Sequence, residues 1–401
     1  MYDLHLTAEQ LEIRDTVRDF VRNEVKPITT HSSRLEPFEK PLLTDILGAA
    51  SKMGLRALAL SDDAGGAGAD HLTACLVIEE LAQGDPDIAL VLARTAVLAH
   101  LLFDELMSGE QRGRFLPQFM DDHDFHLAYA VSDPETGLAA HYHRPSPAAA
   151  ATSISAVKKG SDYVLSGEMA AVANAPIAKL FAVETSAGTL LVPRDSAGLS
   201  VQDSRGSAPA GSTTIRWHHG SAGKVVLKDC RVPASNLLEQ SKAATSAREY
   251  SKRSAVTQAA ANVGIGQVAF EAAVDYAKLR RQGGKQIIEH QAIGTLLAEV
   301  AIKLEVARNV VWKAAWALDN PDAVSDRSVS DLPLHHVART YVGDIIVEVA
   351  ERAAECFGAM GVMRDMPLQK YVSDALVFKH GEPGAGATKL LIAEAVAGFE
   401  R

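Results

Sequence analysis

Cysteine is scarce in this chain. Cys75, Cys230 and Cys356 stand far apart among 401 residues. Such an odd, isolated set excludes a cysteine zinc cluster and fits a reducing compartment. Each thiol is expected as a small core residue. Aromatic residues make up only 5%, while alanine-rich stretches are frequent, which suits closely packed helices. No basic run occurs, and the formal net charge is −10. That balance argues against nucleic acid or an anionic membrane as the main partner, because either needs a basic face to neutralise phosphate. No apolar run reaches the roughly eighteen residues of a membrane span, and the first residues carry no charged-then-apolar leader. The expectation is a cytoplasmic protein without a membrane segment. His141 and His143 alternate in one stretch, but no third ligand accompanies them, so no metal site is expected.

What the chain does have is length and patterning. It is long enough for two or three domains around a sizeable core. Thr7 and Gln10 stand at capping-box spacing, ahead of a stripe of Ile13, Val17, Phe20, Val21 and Val25. This predicts a helix over 7–28 that Pro27 closes. Helical patterns follow over about 40–54, 70–84 and 88–107, and Asp85 and Asp87 read as turn and cap residues around Pro86. From about residue 125 the texture changes to short β-branched or alternating runs, at 153–157, 163–165, 180–183, 190–192, 213–217 and 224–227. Turns rich in Gly, Ser and Asp part them, which predicts an antiparallel sandwich or barrel. His218-His219 reads as a turn after a strand. Beyond Pro233, long helical patterns over 245–282, 288–318 and 333–361 predict an antiparallel bundle. The fold class expected is α+β, mainly α. An N-terminal helical domain spans 1–124, a middle antiparallel β domain 125–240, and a C-terminal helical bundle 241–401.

Near the C-terminus, His380-Gly381-Glu382-Pro383-Gly384 precedes an apolar helical pattern. Glu382 thus sits in a glycine-flanked turn that a proline opens into a helix. Two readings stand. The carboxylate is a helix cap, or it is a general base whose ionisation is favoured by the helix terminus and opposed by desolvation. His380 either lines the same pocket or faces solvent.

Four segments in order narrow the field. They are Leu60-Ser61-Asp62-Asp63-Ala64-Gly65-Gly66-Ala67-Gly68, then Ala130-Val131-Ser132-Asp133-Pro134-Glu135-Thr136-Gly137, then Tyr276-Ala277-Lys278-Leu279-Arg280-Arg281-Gln282-Gly283-Gly284 followed by Gln291, and Cys356-Phe357-Gly358-Ala359-Met360-Gly361 followed by Asp374-Ala375. Together they resemble the acyl-CoA dehydrogenase family across essentially the whole chain, as a divergent member.

The resemblance implies an FAD enzyme that introduces a double bond between the α and β carbons of an acyl-CoA or acyl-carrier-protein thioester. A carboxylate removes the α proton and the β hydrogen leaves as hydride to the flavin. Glu382 falls on the position of the family's catalytic glutamate, and its N–H would help bind the thioester oxygen. Gly381 and Leu138 would face the substrate. Val131 and Ser132 match the segment that binds the flavin pyrimidine ring, and Ala171 and Ala173 occupy positions that face the isoalloxazine. Arg280 would meet the diphosphate with paired donors, Gln291 the adenosine part, and Gly358-Ala359 the diphosphate through close backbone approach. Glu355 stands where a cofactor-binding glutamine is common. In the family the groups at Arg280, Gln291 and Gly358-Ala359 serve the neighbouring subunit's flavin, which implies a homodimer or homotetramer. The implied electron acceptor is an electron-transfer-flavoprotein-like partner.

Departures from the family pattern accompany the matches. Ala171 replaces an aromatic, Ala173 a threonine, Gly283 a phenylalanine and Glu355 a glutamine. Pro383-Gly384 stands for Gly-Thr, and Leu138-Ala139 for Ser-Asp. They fit a site reshaped for a cyclic, aromatic or branched acyl group. They also fit a non-catalytic or flavin-poor subunit of a heteromer, and an oxygen-using oxidase or monooxygenase is a further alternative.

Overall fold

The computed structural model describes residues 5–35, 38–131, 142, 153–204, 218–239, 246–381 and 385–399. Ser132, Leu138, His141, His143, the run 213–217 and Glu382 through Gly384 lie outside the described residues. Thr7 opens α1 (Ala8–Phe20) through reciprocal bonds with Gln10. Pro27 does not close this helix. The chain passes through a π turn, Val21–Val25, into α2 (Lys26–Thr29), and the Lys26 amide already reaches back to Val21. The i to i−4 ladder that a proline breaks has therefore shifted before Pro27 arrives.

α3 (Thr44–Lys52), α4 (His71–Gly84), α5 (Pro86–Ala99) and α6 (Gly109–Asp121) complete the first helical block. Asp85 caps α5 by accepting from the Asp87 and Ile88 amides. A second π segment, His100–Leu106, prolongs it. Pro86–Leu106 is long and apolar enough to cross a membrane, but 89% of its most apolar stretch is buried inside the protein, as befits a core helix. α6 has no counterpart among the sequence expectations, although Ser108 and Gln111 form a second capping box at its start.

The strand block holds β1 (His126–Ala130), β2 (Ile154–Lys159), β3 (Asp162–Ala173), β4 (Ala178–Thr185), β5 (Gly188–Pro193), β6 (Leu199–Asp203) and β7 (Ala222–Pro233). Two sheets, β1-β4-β5 and β2-β3-β7-β6, share a core that includes Leu165, Phe181, Val192 and Val225. Pairing is antiparallel except between β1 and β4. A parallel pair needs a long connection, and the β2–β3 hairpin lies within it. β3 is distorted near its end: Met169 faces Val225 and Val172 faces Gly223, so Ala170 and Ala171 together oppose Lys224. This bulge turns Ala171 to φ 54°.

The C-terminal block is built on α7 (Ser246–Leu279), 34 residues long. α8 (Gln291–Asp319), α9 (Asp322–Ser325), α10 (Leu334–Cys356), α11 (Leu368–His380) and α12 (Ala385–Ala397) follow. The alanines of α7 make it a close-packing axis: Ala259, Ala260, Ala269, Ala273 and Ala277 are all buried. A Cβ at Gly264 would lie 2.3 Å from the Glu79 carbonyl, so α4 touches the α7 backbone directly and locks the two helical blocks together. Between α7 and α8 runs a small hairpin, β8 (Arg281–Gln282) and β9 (Lys285–Gln286). Its two-residue turn is Gly283 (φ 61°) and Gly284 (φ 84°), a conformation that glycine adopts without strain. The three cysteines are buried free thiols.

Candidate active site

A cavity of about 360 Å³ opens where the strand block meets both helical blocks. α5 lends it Leu90 and Arg94, the strand edges lend Val131, Ala171, Ala173 and Ala222, and α7 lends Tyr250, Ser254 and Gln258. His336 and Arg339 of α10 and Phe378, His380 and Gly381 at the end of α11 form the remaining wall. The structure thus brings Val131, Ala171, Ala173 and Gly381, all singled out in the sequence, onto one space.

The strand side is small and held in place. Asn174, just past β3, donates to the Val91 carbonyl at 3.1 Å and to the Thr95 hydroxyl at 3.2 Å, both on α5. The Thr95 hydroxyl, having accepted from Asn174, is free to donate to His126 Nδ1, 3.2 Å away. His126 therefore serves as a neutral acceptor. Burial, then the Arg56 and Lys179 charges, pushes its imidazole down to about 4. This relay ties the end of β3 to the helix beneath it.

The helical side carries the polar groups. Arg339 donates to the Gln258 side-chain oxygen at 2.6 Å and to the Gly381 carbonyl at 3.2 Å, bracing the turn that leads into Glu382. Burial and neighbouring cations push His336 down to about 3, so it presents a neutral ring near neutral pH. Tyr250, its phenol raised by burial, meets Tyr129 edge to face at 5.3 Å.

His218 and His219, read from the sequence as a turn, also line the cavity. His219 is buried, its Nε2–H donating to the Asp374 carbonyl at 2.9 Å and its ring lying on Phe378 at 4.6 Å. Its Nδ1 faces Asp87 Oδ1 at 3.4 Å. Asp87 also accepts from the Gly220 amide at 2.9 Å, so a residue read as a helix cap is in addition a tether between α5 and the start of β7. Nothing local in the sequence signals a bond across 133 positions.

The other predicted cofactor residues do not line this cavity. Tyr276 of α7 stacks on Phe357 after α10 at 4.1 Å, which joins the segment that carries Arg280 to the one that carries Glu355, Gly358 and Ala359, while Gln291 opens α8. Arg280 is exposed and makes no side-chain hydrogen bond or ion pair to the described residues. Glu355 is turned onto Arg352 at 2.8 Å, so its charge is offset. Gly358 lies at φ 56° with open space around it. Between Gln258 and Leu279, α7 advances roughly 30 Å. Cavity and cluster therefore occupy opposite ends of one helix. Their chemistry nonetheless fits the two ends of an FAD: a rim of alanines that admits a flat ring, and, on segments joined by the Tyr276–Phe357 stack, a guanidinium and an open glycine backbone suited to a diphosphate.

Comparison with known proteins agrees with this architecture. Residues 7–122 match the model of the acyl-CoA dehydrogenase N-terminal domain and residues 245–397 that of the acyl-CoA dehydrogenase C-terminal domain. The probable acyl-CoA dehydrogenase YngJ of Bacillus subtilis (strain 168) is 26% identical over 402 residues, covering 98% of each chain. Among solved structures, butyryl-CoA dehydrogenase from Megasphaera elsdenii superposes with a TM-score of 0.80 at 21% identity, covering 99% of this chain and 100% of that one. PigA with FAD and proline superposes at 0.79 and 19% identity, covering 99% of both.

Proposed function

The chain belongs to the acyl-CoA dehydrogenase family, and on that premise we propose that it is an FAD-dependent oxidoreductase that desaturates an acyl thioester through Glu382. The observation that carries this reading is the single cavity onto which Val131, Ala171 and Ala173 open from one side and the Gly381 turn from the other. A flavin bound there supplies the hydride acceptor for the β hydrogen. Val131, Ala171 and Ala173 would hold its ring.

The chain's own residues do the rest. Glu382 takes the α proton that the thioester makes acidic, and its backbone N–H donates to the thioester oxygen where negative charge develops. Arg339, by holding the Gly381 carbonyl and Gln258, keeps that turn facing the cavity. Arg280, Gln291, Gly358 and Ala359 would hold the dinucleotide end of an FAD whose ring lies in a second copy, which makes the active form a homodimer or homotetramer. The electrons leave to a flavoprotein acceptor, and the thioester carrier is CoA or an acyl-carrier protein.

Anaerobic mixing of the FAD-loaded protein with acyl thioesters tests this, read as loss of flavin absorbance. Glu382→Gln should keep both flavin and ligand binding yet slow bleaching by about three orders of magnitude or more, the upper part of the range for a positioned base. Bleaching at the original rate would remove Glu382 from the mechanism. Failure of the wild-type protein to retain flavin at all would make it the flavin-poor subunit instead.

A further inference from the structure

The π segment that prolongs α5 gives one histidine two acidic partners. In an α-helix a side chain faces the residues three and four ahead, and a residue five ahead is turned well off that face. A π turn closes on the fifth residue instead, so His100 meets both Asp104 and Glu105. Its Nδ1 lies 2.9 Å from Asp104 Oδ2, and its Nε2 lies 3.1 Å from Glu105 Oε1. An ionised carboxylate only accepts, and a neutral imidazole has a single N–H to give. Both contacts are hydrogen bonds only when the ring is an imidazolium.

Each carboxylate passes the contact on to another part of the fold. Asp104 accepts from the Ser61 amide at 3.0 Å and from the Ser61 hydroxyl at 2.7 Å, and Arg112 of α6 stands 3.8 Å from it. Glu105 accepts from Arg253 Nη2 of α7 at 2.8 Å. On α7, Arg253 stands between Tyr250 and Ser254, which both line the cavity. Tyr250 also packs on the core that contains Leu101, Leu102 and Phe103 of the π segment. Among the described residues, the charges around His100 are thus Asp104 and Glu105 on its own segment, Arg253 on α7 and Arg112 on α6. When the proton leaves, one ring nitrogen turns a lone pair on a carboxylate that it had bonded, and repulsion replaces attraction there. Glu105 is the more exposed of the two, at 36% against 11%, so water can take the place of the ring on its side.

We propose that His100 is a pH-operated latch on the α7 wall of the cavity: as an imidazolium it fixes Glu105 against Arg253 and so holds Tyr250 and Ser254 in place, and its deprotonation lets that wall loosen. The inference concerns the wall, whichever ligand fills the cavity, and does not depend on Glu382 as base. Hydrogen bonding to Glu105, opposed by burial, raises the titration of His100 above its ordinary value. The latch is therefore closed at lower pH and opens as pH rises through the raised value.

The test follows hydrogen exchange over residues 246–258 of the purified protein between pH 6 and pH 9, corrected for intrinsic rates and compared with α8. Protection of this stretch in the wild type should fall by about tenfold as pH rises, the scale of one charge-assisted hydrogen bond. FAD affinity, read by flavin fluorescence, should weaken over the same interval. His100→Lys stays charged across that range and should keep both. Glu105→Gln removes the acceptor that demands a second N–H and should flatten the step, so either variant decides the matter if the other fails to fold. Imidazole nitrogen shifts in the wild type should show both ring nitrogens of His100 protonated at pH 7. A neutral ring at pH 7, no step in protection, or a step of equal size in His100→Lys would overturn the latch. A step in protection with FAD affinity flat across the range would overturn its control of the cavity. Absence of FAD binding at every pH would sink the proposed cofactor site, while exchange would still decide the latch.

Discussion

His126 shows how a single side chain couples the cavity wall to pH. Its folded value of about 4 lies below the ordinary value of 6.5. Between those values the unfolded chain binds a proton that the folded one refuses. Stability is therefore complete above pH 6.5 and is lost as pH falls towards 4, by up to about 3 kcal/mol. His100 has the opposite sign. Its hydrogen bond to Glu105, against burial, raises it, so its contribution is present below 6.5 and fades as pH rises through the raised value. Urea unfolding at pH 7 and pH 4.5 separates them: the wild type should lose about 2–3 kcal/mol more than His126→Gln across that interval. Equal losses would show that burial does not hold the ring neutral.

At the scale of elements, several departures from the family pattern follow from backbone conformation. Ala171 replaces an aromatic at a bulge where φ is 54°, a region that bulky residues adopt only with strain. Gly283 replaces a phenylalanine at φ 61° in the two-residue turn between α7 and α8. Restoring the aromatic as Gly283→Phe should cost about 1–2 kcal/mol, read as a lower thermal midpoint with the bound flavin spectrum unchanged in shape. An unaltered midpoint would mean that the hairpin relaxes to another turn. The π segment ahead of Pro27 belongs to the same lesson: the hydrogen-bond register of the preceding turn decides whether proline stops a helix.

For the whole molecule, the separation along α7 has a consequence that activity can report. If the cluster around Arg280 serves the cavity of a second copy, each site draws Glu382 from one chain and Arg280 from the other. Arg280→Ala should lose FAD at limiting cofactor, and Glu382→Gln should be inactive. Co-expressed, the two should regain activity, because hybrid dimers contain one site with both residues intact. Complementation would reach at most half the wild-type rate per hybrid dimer. No recovery, with mixed assemblies verified by mass spectrometry, would place both residues in one chain's site, and full activity of Arg280→Ala alone would remove Arg280 from it.

The sequence alone was enough for the order of helical, strand and helical blocks. Hydrophobic period, caps and turn residues act over a few positions and are written locally, as Thr7 with Gln10 and Gly283-Gly284 illustrate. It also carried the motifs from which Arg280 and Glu382 are singled out, because motifs preserve spacing. Three things were decided by tertiary structure. Asp87 reaches Gly220 and His219, Arg339 comes to hold both Gln258 and the Gly381 carbonyl, and the two groups of residues singled out for a cofactor part to opposite ends of α7. Each depends on the distance between segments remote along the chain, which packing sets and local pattern does not encode.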